Sequence, residues 1–340
     1  MQKLLTIVIP TYNMQDYLPR CLDSLILRDT ALMEQLEVLV INDGSKDTSS
    51  VIAREYEAKY PNTFRVIDKE NGNYGSCINR GLKEATGKYI KVLDADDWFD
   101  TANFEQYLQF LATTDVDLVL SDFDQVNGDG VVLNHIHYAF GSKVSLSDLQ
   151  TDKLFLMHAV AYRTRNLRDI NYHQTEGISY TDQEWIFLPM TTVRKISYFN
   201  EVVYKYMIGR EGQTMDPAVF YKNFSHEMKG TDTMMQEYEE IAPSLDTAHR
   251  DYLTWRLRTR IHLVYSAFLL KEGMTLGMDA LETFDTTMRE KYPQSYTLSD
   301  GMRISTRIPF RFIHSYRRYH SRNTMSILLY RWYIKMRTIL

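Results

Sequence analysis

Over the first 120 residues, short apolar runs alternate with stretches of helical spacing, and this alternation constrains the fold most. The apolar runs are Leu4–Ile9, Leu36–Ile41, Phe64–Ile67, Lys88–Leu93 and Val116–Ser121. Helix patterns lie between them at Asp16–Arg28, Asp47–Tyr60, Tyr74–Ala85 and Thr101–Thr113; Pro61 ends the second and Gly87 closes the third. Strands separated by helices of this length form βαβ units, so an α/β fold with a mostly parallel sheet is expected. Right-handed crossovers then bring the strand C-termini to one edge, where such sheets bind ligands.

Beyond residue 120 the pattern changes. Phe123–Val126 and Val131–Ala139 flank Asn127-Gly128-Asp129-Gly130, a hairpin signal. Mixed short elements follow, and after Asp216 the sequence reads as helical. Two regions are expected, 1–215 and 216–340. With 44% hydrophobic and 24% charged residues, the composition excludes disorder, collagen and coiled coil as readings of the whole chain. Cys21 and Cys77 are too few for a disulfide framework and lack metal-ligand spacing. The longest stretch without Asp, Glu, Lys or Arg is 13 residues, Gly130–Ser142, too short for a membrane span of roughly 20. The N-terminus runs directly into a strand pattern, so no signal peptide is expected and the cytoplasm is the expected compartment.

Polar residues cluster after three of the strands: Pro10-Thr11-Tyr12-Asn13, Asn42-Asp43-Gly44-Ser45-Lys46-Asp47 and Asp94-Ala95-Asp96-Asp97. The first turn lacks the glycine-rich fingerprint of a dinucleotide site, and no phosphate-cradling P-loop occurs. Three carboxylates within four residues repel one another unless a cation is present, and hard divalent ions take oxygen ligands together with substrate phosphates. An acidic turn capping the next helix is the plainer reading of that tetrapeptide. Its place after a buried strand, followed by Trp98 and Phe99, favours function.

These motifs, with Val8-Ile9 before the first and Asn79-Arg80-Gly81, Ala85 and Gly87 between the second and third, resemble the family 2 glycosyltransferases of the GT-A fold. The match covers about residues 3–125, with every motif in order. The resemblance implies inverting, metal-dependent transfer from a nucleotide sugar, a UDP-sugar foremost, to a glycan hydroxyl in bacterial polysaccharide synthesis, with a lipid-linked acceptor. By the same resemblance Thr11 and Tyr12 would contact the base and Asp43 its pyrimidine edge. Asn73 and Gly75, before the third helix, would approach the nucleotide with Ala95. Asp94 would face the ribose, and Asp96 would hold Mn2+ or Mg2+ against the diphosphate. Many relatives carry Ala-Arg-Asn-x-Gly where this chain has Cys77-Ile78-Asn79-Arg80-Gly81, so any donor contact of that arginine is made differently here or not at all.

An inverting transfer needs a base near the acceptor hydroxyl. The family pattern puts an acid-Asp pair about 90 residues after the metal motif. Here Tyr180-Thr181-Asp182-Gln183-Glu184-Trp185 stands at that distance, with Asp182 matching the base and Thr181 replacing the acid. Glu184 is the second candidate. Thr181 and Glu184 also spell a capping box, which would set Asp182 in the first helical turn. Arg210, in a glycine-flanked loop, is a candidate for the diphosphate. His135 and His137 share one strand face, a spacing that suits zinc, but no third ligand is evident and an exposed hairpin face is the simpler reading.

Residues 301–340 carry nine Lys/Arg and no acid, against 30 basic and 44 acidic groups in the rest. Apolar residues recur at helical spacing through Met325, Leu328, Leu329, Trp332, Met336 and Leu340, with Arg331, Lys335 and Arg337 around them. Such a helix suits the inner face of a membrane, making the protein peripheral there. The alternative is a terminal helix packed on the body with solvated arginines. Nucleic acid is not an expected partner. Two rival functions remain: a non-catalytic GT-A subunit docked by its tail, which would not turn over a donor, and a sugar nucleotidyltransferase, which would need a glycine-rich basic loop after the first strand.

Overall fold

The computed structural model describes residues 3–141, 143–150, 153–210, 212–213, 216–270, 276–301 and 311–339. The chain divides into two compact units, Met1–Asp216 and Pro217–Leu340.

The first unit is built on one sheet. Its strands are β1 (Leu5–Thr11), β2 (Leu36–Asn42), β3 (Phe64–Asp68), β4 (Tyr89–Val92), β5 (Trp98–Phe99), β6 (Leu118–Val126), β7 (Val132–Ile136), β8 (Val160–Arg163) and β9 (Ile196–Met207). The order is β3-β2-β1-β4-β8-β6-β9-β5, with β7 on β6. β3, β2, β1 and β4 are parallel, as the βαβ pattern requires. The rest of the sheet is mixed. β8 lies between β4 and β6 and runs antiparallel to both. Its four residues give too short a run to reveal a strand by alternation; beyond β4, β6 and β9 pair in parallel while β8, β7 and β5 pair antiparallel.

Five helices follow the early strands: α1 (Leu18–Asp23), α2 (Thr30–Glu34), α3 (Ser49–Lys59), α4 (Asn73–Glu84) and α5 (Thr101–Thr113). The expected helix 16–28 is shortened to α1, which starts with proline near its N-terminus; Leu25 and Ile26 then make i→i−3 turns that keep Leu25 in the core. α4 packs closely because it carries glycines: a Cβ on Gly81 would lie 2.4 Å from a Val8 methyl. Two short helices follow, α6 (Thr164–Asp169) and α7 (Asp182–Trp185).

β1 and β2 run in register from Leu5↔Leu36 to Thr11↔Asn42, and the Asp43 amide donates to the Thr11 carbonyl at 2.9 Å. The two motif-bearing turns therefore leave the sheet side by side. Lys91 breaks the apolar pattern of β4. Wholly buried, it donates to the His158 carbonyl at 2.6 Å, and burial pulls its ammonium down to about 7.

The second unit holds α8 (Pro217–Lys222), α9 (Phe224–Ile241), α10 (Thr247–Leu270), α11 (Met278–Lys291), α12 (Pro293–Asp300), α13 (Phe312–Tyr319) and α14 (Met325–Ile339). No helix among the described residues is long and apolar enough to cross a membrane. Arg317, counted above in the basic tail, is not solvated. It is buried and bonds Asp285 at 2.7 Å, Ser299 at 2.9 Å and the Tyr296 carbonyl at 2.9 Å. Arg331 likewise donates to the Leu269 carbonyl at 2.8 Å. In α14, Ile327 and Tyr330 are buried while Met325, Leu328, Leu329 and Trp332 are exposed. Residues 302–310 and the side chains of Lys335, Met336, Arg337 and Leu340 lie outside the described residues.

Candidate active site

The C-terminal edge of the parallel strands opens into a cavity of ≈ 380 Å³, within the usual range for ligand sites. β1 supplies Thr11 and, just past its end, Tyr12; the β2 turn supplies Asp43, α4 supplies Asn73 and Tyr74, and the β4 turn supplies Asp94. Tyr180, Thr181 and Asp182 line the same cavity, as do Met157, His158 and Tyr206. Asp182 is thus in one cavity with Thr11, Tyr12, Asp43, Asn73 and Asp94, residues drawn from turns scattered over 170 positions. Gly75, Ala95, Asp96 and Arg210 are not in its wall.

Two of the wall carboxylates are held by bonds the sequence did not announce. Asp43 is buried, and its Oδ1 accepts from Lys69 Nζ at 2.5 Å and from the Gly72 amide at 2.9 Å. Asp94 Oδ1 accepts from the Tyr74 hydroxyl at 2.8 Å. Burial, then the neighbouring Asp96 charge, raises the Asp94 carboxyl well above the ordinary range. Tyr12 is 45% exposed, with a face available to a flat ligand.

Asn73 and Gly75 are inside α4, not before it. A Cβ on Gly75 would stand 2.0 Å from the Thr175 carbonyl oxygen, so this glycine lets α4 meet the strand-free segment that leads to Asp182. Asn79 grips the same segment, donating to the Gln174 carbonyl at 2.9 Å and accepting from its amide at 2.8 Å. The wholly buried Gln174 side chain then donates to the Thr181 carbonyl at 2.8 Å and hydroxyl at 2.9 Å. A chain of contacts thereby runs from α4 to the residue before Asp182. Tyr180 has φ +67°, a left-handed backbone that is rare for an aromatic residue and typical of functional turns.

The capping box does not form. Thr181 has αR backbone and makes no side-chain cap bond, its hydroxyl being used by Gln174. Glu184 accepts instead from the Thr175 amide at 2.8 Å. It is buried behind the wall, outside the cavity, and burial lifts its carboxyl to about 7. The second base candidate is therefore out of reach of a ligand in this cavity, whereas Asp182 is half-buried in the wall with Gln183 Nε2 on its Oδ2 at 2.8 Å.

The acidic turn splits in three directions. Asp94 faces the cavity. Asp96 Oδ2 accepts from Arg210 Nε at 3.0 Å and Nη2 at 2.9 Å, so the arginine expected on a diphosphate here sits on the expected metal ligand. The loop residues Glu211 and Thr214 lie outside the described residues. Asp97 is buried, with one oxygen taken by the Tyr204 hydroxyl at 2.6 Å and the other by the Met207 amide at 2.7 Å. Asp94, Asp97 and His158 bring ligand atoms within 4.8 Å of one another, but the bonds to Asp97 tie that carboxylate to β9. Asp94 and Asp96 supply the oxygen donors that Mg2+ and Mn2+ prefer, and a cation would offset the burial and the Asp96 charge that together raise Asp94. These residues fit such an ion. His158 is missed by sequence reasoning, as are Tyr74, Gln174 and Tyr206. The His158 ring stacks on Tyr206 at 4.2 Å, neither of its nitrogens has a hydrogen-bond partner among the described residues, and burial with the Lys91 charge holds it neutral, its pKa drawn down to about 3.

Known proteins resemble this chain in sequence and in fold. The sequence model described as Glycosyl transferase family 2 matches residues 6–187. The minor teichoic acid biosynthesis protein GgaB of Bacillus subtilis is 29% identical over 229 residues, 66% of this chain and 25% of GgaB. The poly(ribitol-phosphate) beta-N-acetylglucosaminyltransferase TarS of Staphylococcus aureus is 26% identical over 296 residues, 84% of this chain and 50% of TarS. The crystal structure of TarS 1–349 in complex with UDP-GlcNAc matches with a TM-score of 0.70 at 22% identity, over 96% of this chain and 89% of that one. The chain thus spans a quarter of one curated relative and half of the other, and the fold is the expected GT-A sheet with a helical C-terminal region. Since the family model covers more than half its length, the chain belongs to glycosyl transferase family 2.

Proposed function

We propose that this protein is an inverting glycosyltransferase that moves one sugar from a UDP-sugar to a hydroxyl of a glycan acceptor in bacterial polysaccharide synthesis. The observation that carries the reading is the meeting of Asp182 with Thr11, Tyr12, Asp43 and Asp94 in one cavity. TarS, whose fold this chain shares, binds UDP-GlcNAc, which makes a uridine donor the first to test.

In this reading Tyr12 stacks on the base, Thr11 and Asp43 read its edge, and Asn73 borders the nucleotide. Asp94 meets the ribose and diphosphate end. Asp182 accepts the proton of the acceptor hydroxyl as that oxygen attacks the sugar carbon opposite the departing diphosphate. Asp96, with Asp94, would hold Mg2+ or Mn2+, which offsets charge on the leaving diphosphate. Arg210 moves from Asp96 to the diphosphate when donor and ion are bound, because its planar fork suits phosphate as well as carboxylate. Gly75 acts indirectly by seating Thr175, and Ala95 fills space between the two acidic residues. The exposed stripe Met325, Leu328, Leu329 and Trp332 on α14 docks a membrane surface carrying a lipid-linked acceptor.

The test is donor turnover with UDP-, GDP- and dTDP-sugars in the presence of Mn2+. The reading expects one UDP-sugar to be consumed and Asp182→Asn to stop consumption while nucleotide binding persists. Failure of every nucleotide sugar to bind, even with Mn2+, would favour a non-catalytic subunit; binding without turnover would mean that the acceptor is missing. Release of pyrophosphate from UTP and a sugar phosphate would identify a nucleotidyltransferase.

A further inference from the structure

Outside the cavity, the β6–β7 hairpin carries two histidines with surroundings that sugar transfer does not use. His135 lies on β7 and His137 one residue past its end, and both side chains reach carboxylates of β6. Their side chains are 54% and 41% exposed. His135 Nδ1 meets Asp124 Oδ1 at 2.5 Å, and His137 Nδ1 meets Asp122 Oδ2 at 2.6 Å. Both carboxylates are buried on β6 and held from other directions as well. Asp124 accepts from Lys205 Nζ at 2.8 Å; Asp122 accepts from the Tyr198 hydroxyl at 2.8 Å and the Tyr138 amide at 3.1 Å. The two rings are nearly parallel, 12° apart in plane with centroids 5.9 Å apart.

A carboxylate at Nδ1 fixes that nitrogen as the proton carrier of a neutral imidazole and leaves the lone pair on Nε2. Neither Nε2 has a partner among the described residues. A carboxylate behind and a bare Nε2 in front is how proteins prepare histidine for a metal, and here the arrangement occurs twice, two residues apart, on nearly parallel rings. We propose that His135 and His137 form a two-histidine site for a borderline divalent ion of the Zn2+, Ni2+ and Cu2+ class, with water completing the coordination.

Imidazole selects these ions over Mg2+, so the site differs in kind from the oxygen-rich acidic turn. It also stands independently of the proposed transfer reaction. Zinc–nitrogen bonds of about 2.1 Å require the two Nε2 atoms to come within about 4.2 Å of each other. The rings reach this by leaning together about their Nδ1 ends, which stay anchored on the two aspartates. Because each histidine is tied to β6 through its carboxylate, the bound ion fixes β7 to the sheet, and binding to the folded state alone stabilises it.

The test is Zn2+ binding by calorimetry and Co2+ binding by visible absorption, at pH 7.5 on the full chain. The wild type is expected to take up one equivalent that the His135→Gln/His137→Gln double variant does not, and excess Mg2+ is expected not to displace it. Asp124→Asn is expected to weaken that equivalent by roughly 10–100-fold, the usual cost of losing a carboxylate behind a ligating histidine. The two histidines are exposed, so their variants carry the test even where a buried aspartate substitution unfolds the protein. Equal Zn2+ uptake by wild type and double variant overturns the proposal. A well-folded Asp124→Asn with wild-type affinity contradicts the carboxylate-backed geometry.

Discussion

Arg210 directs two nitrogens, Nε and Nη2, at a single oxygen of Asp96, at 3.0 and 2.9 Å. The side chains are only 20% and 12% exposed, so solvent screens the pair weakly. A divalent ion on Asp96 has to compete with this cation. Arg210→Gln is therefore expected to raise donor-free Mn2+ affinity by about tenfold, equivalent to ~1.4 kcal/mol, while lowering affinity for the nucleotide sugar. Mn2+ electron paramagnetic resonance without donor, and a donor titration with it, measure the two effects. Unchanged Mn2+ affinity would mean that Asp96 does not hold the ion.

At Gly75 the backbones of α4 and the 174–182 segment come together. Adding one methyl there sets a carbon 2.0 Å from the Thr175 carbonyl oxygen. Gly75→Ala is expected to cost about 1–3 kcal/mol, the range for overpacking, and to lower kcat more than it changes donor KM, because the displaced segment carries Asp182. Thermal unfolding and steady-state kinetics separate these effects. A variant with wild-type Tm and kcat would remove the glycine from the account.

These two examples show what the sequence could and could not reveal. The parallel half of the sheet and the three polar turns were legible because β1, β2 and β4 are apolar runs ending in polar residues. Thr11, Asp43, Asp94 and Asp182 were legible because their spacing matches a family pattern, not because composition marks them. β8 was not legible, since four residues wedged between β4 and β6 carry no periodicity of their own. Nor were Gln174, Tyr74 and His158. Each is an ordinary residue locally and gains its role from a partner far along the chain: Asn79 for Gln174, Asp94 for Tyr74, and the tyrosines of β9 for His158. The Thr181–Glu184 capping box failed for the same reason, because Gln174 and Thr175 offered both side chains tertiary partners. Arg317 reads as part of a basic tail and is a buried hub, satisfied by Asp285 from another helix.

Glu184 makes stability depend on pH. Burial raises its carboxyl to about 7 from the ordinary 4.5. A raised acid binds its proton more tightly folded than unfolded. Its contribution is therefore fully present below about pH 4.5 and is lost as pH rises through about 7. The displacement corresponds to on the order of 3 kcal/mol. Glu184→Gln keeps an acceptor for the Thr175 amide and removes the titration. The Tm difference, variant minus wild type, is expected to grow by several degrees between pH 5 and pH 8. A difference that stays constant across that window would mean that Glu184 titrates normally.

The most direct test of the account is the kcat of Asp182→Asn with the UDP-sugar that the wild type consumes, measured beside its affinity for UDP. The substitution keeps size and an acceptor oxygen for Gln183 but removes the basic carboxylate. The account predicts a fall in kcat of roughly 10²–10⁴, the usual worth of a general base, with UDP affinity unchanged. Wild-type kcat in Asp182→Asn would contradict the assignment of the base.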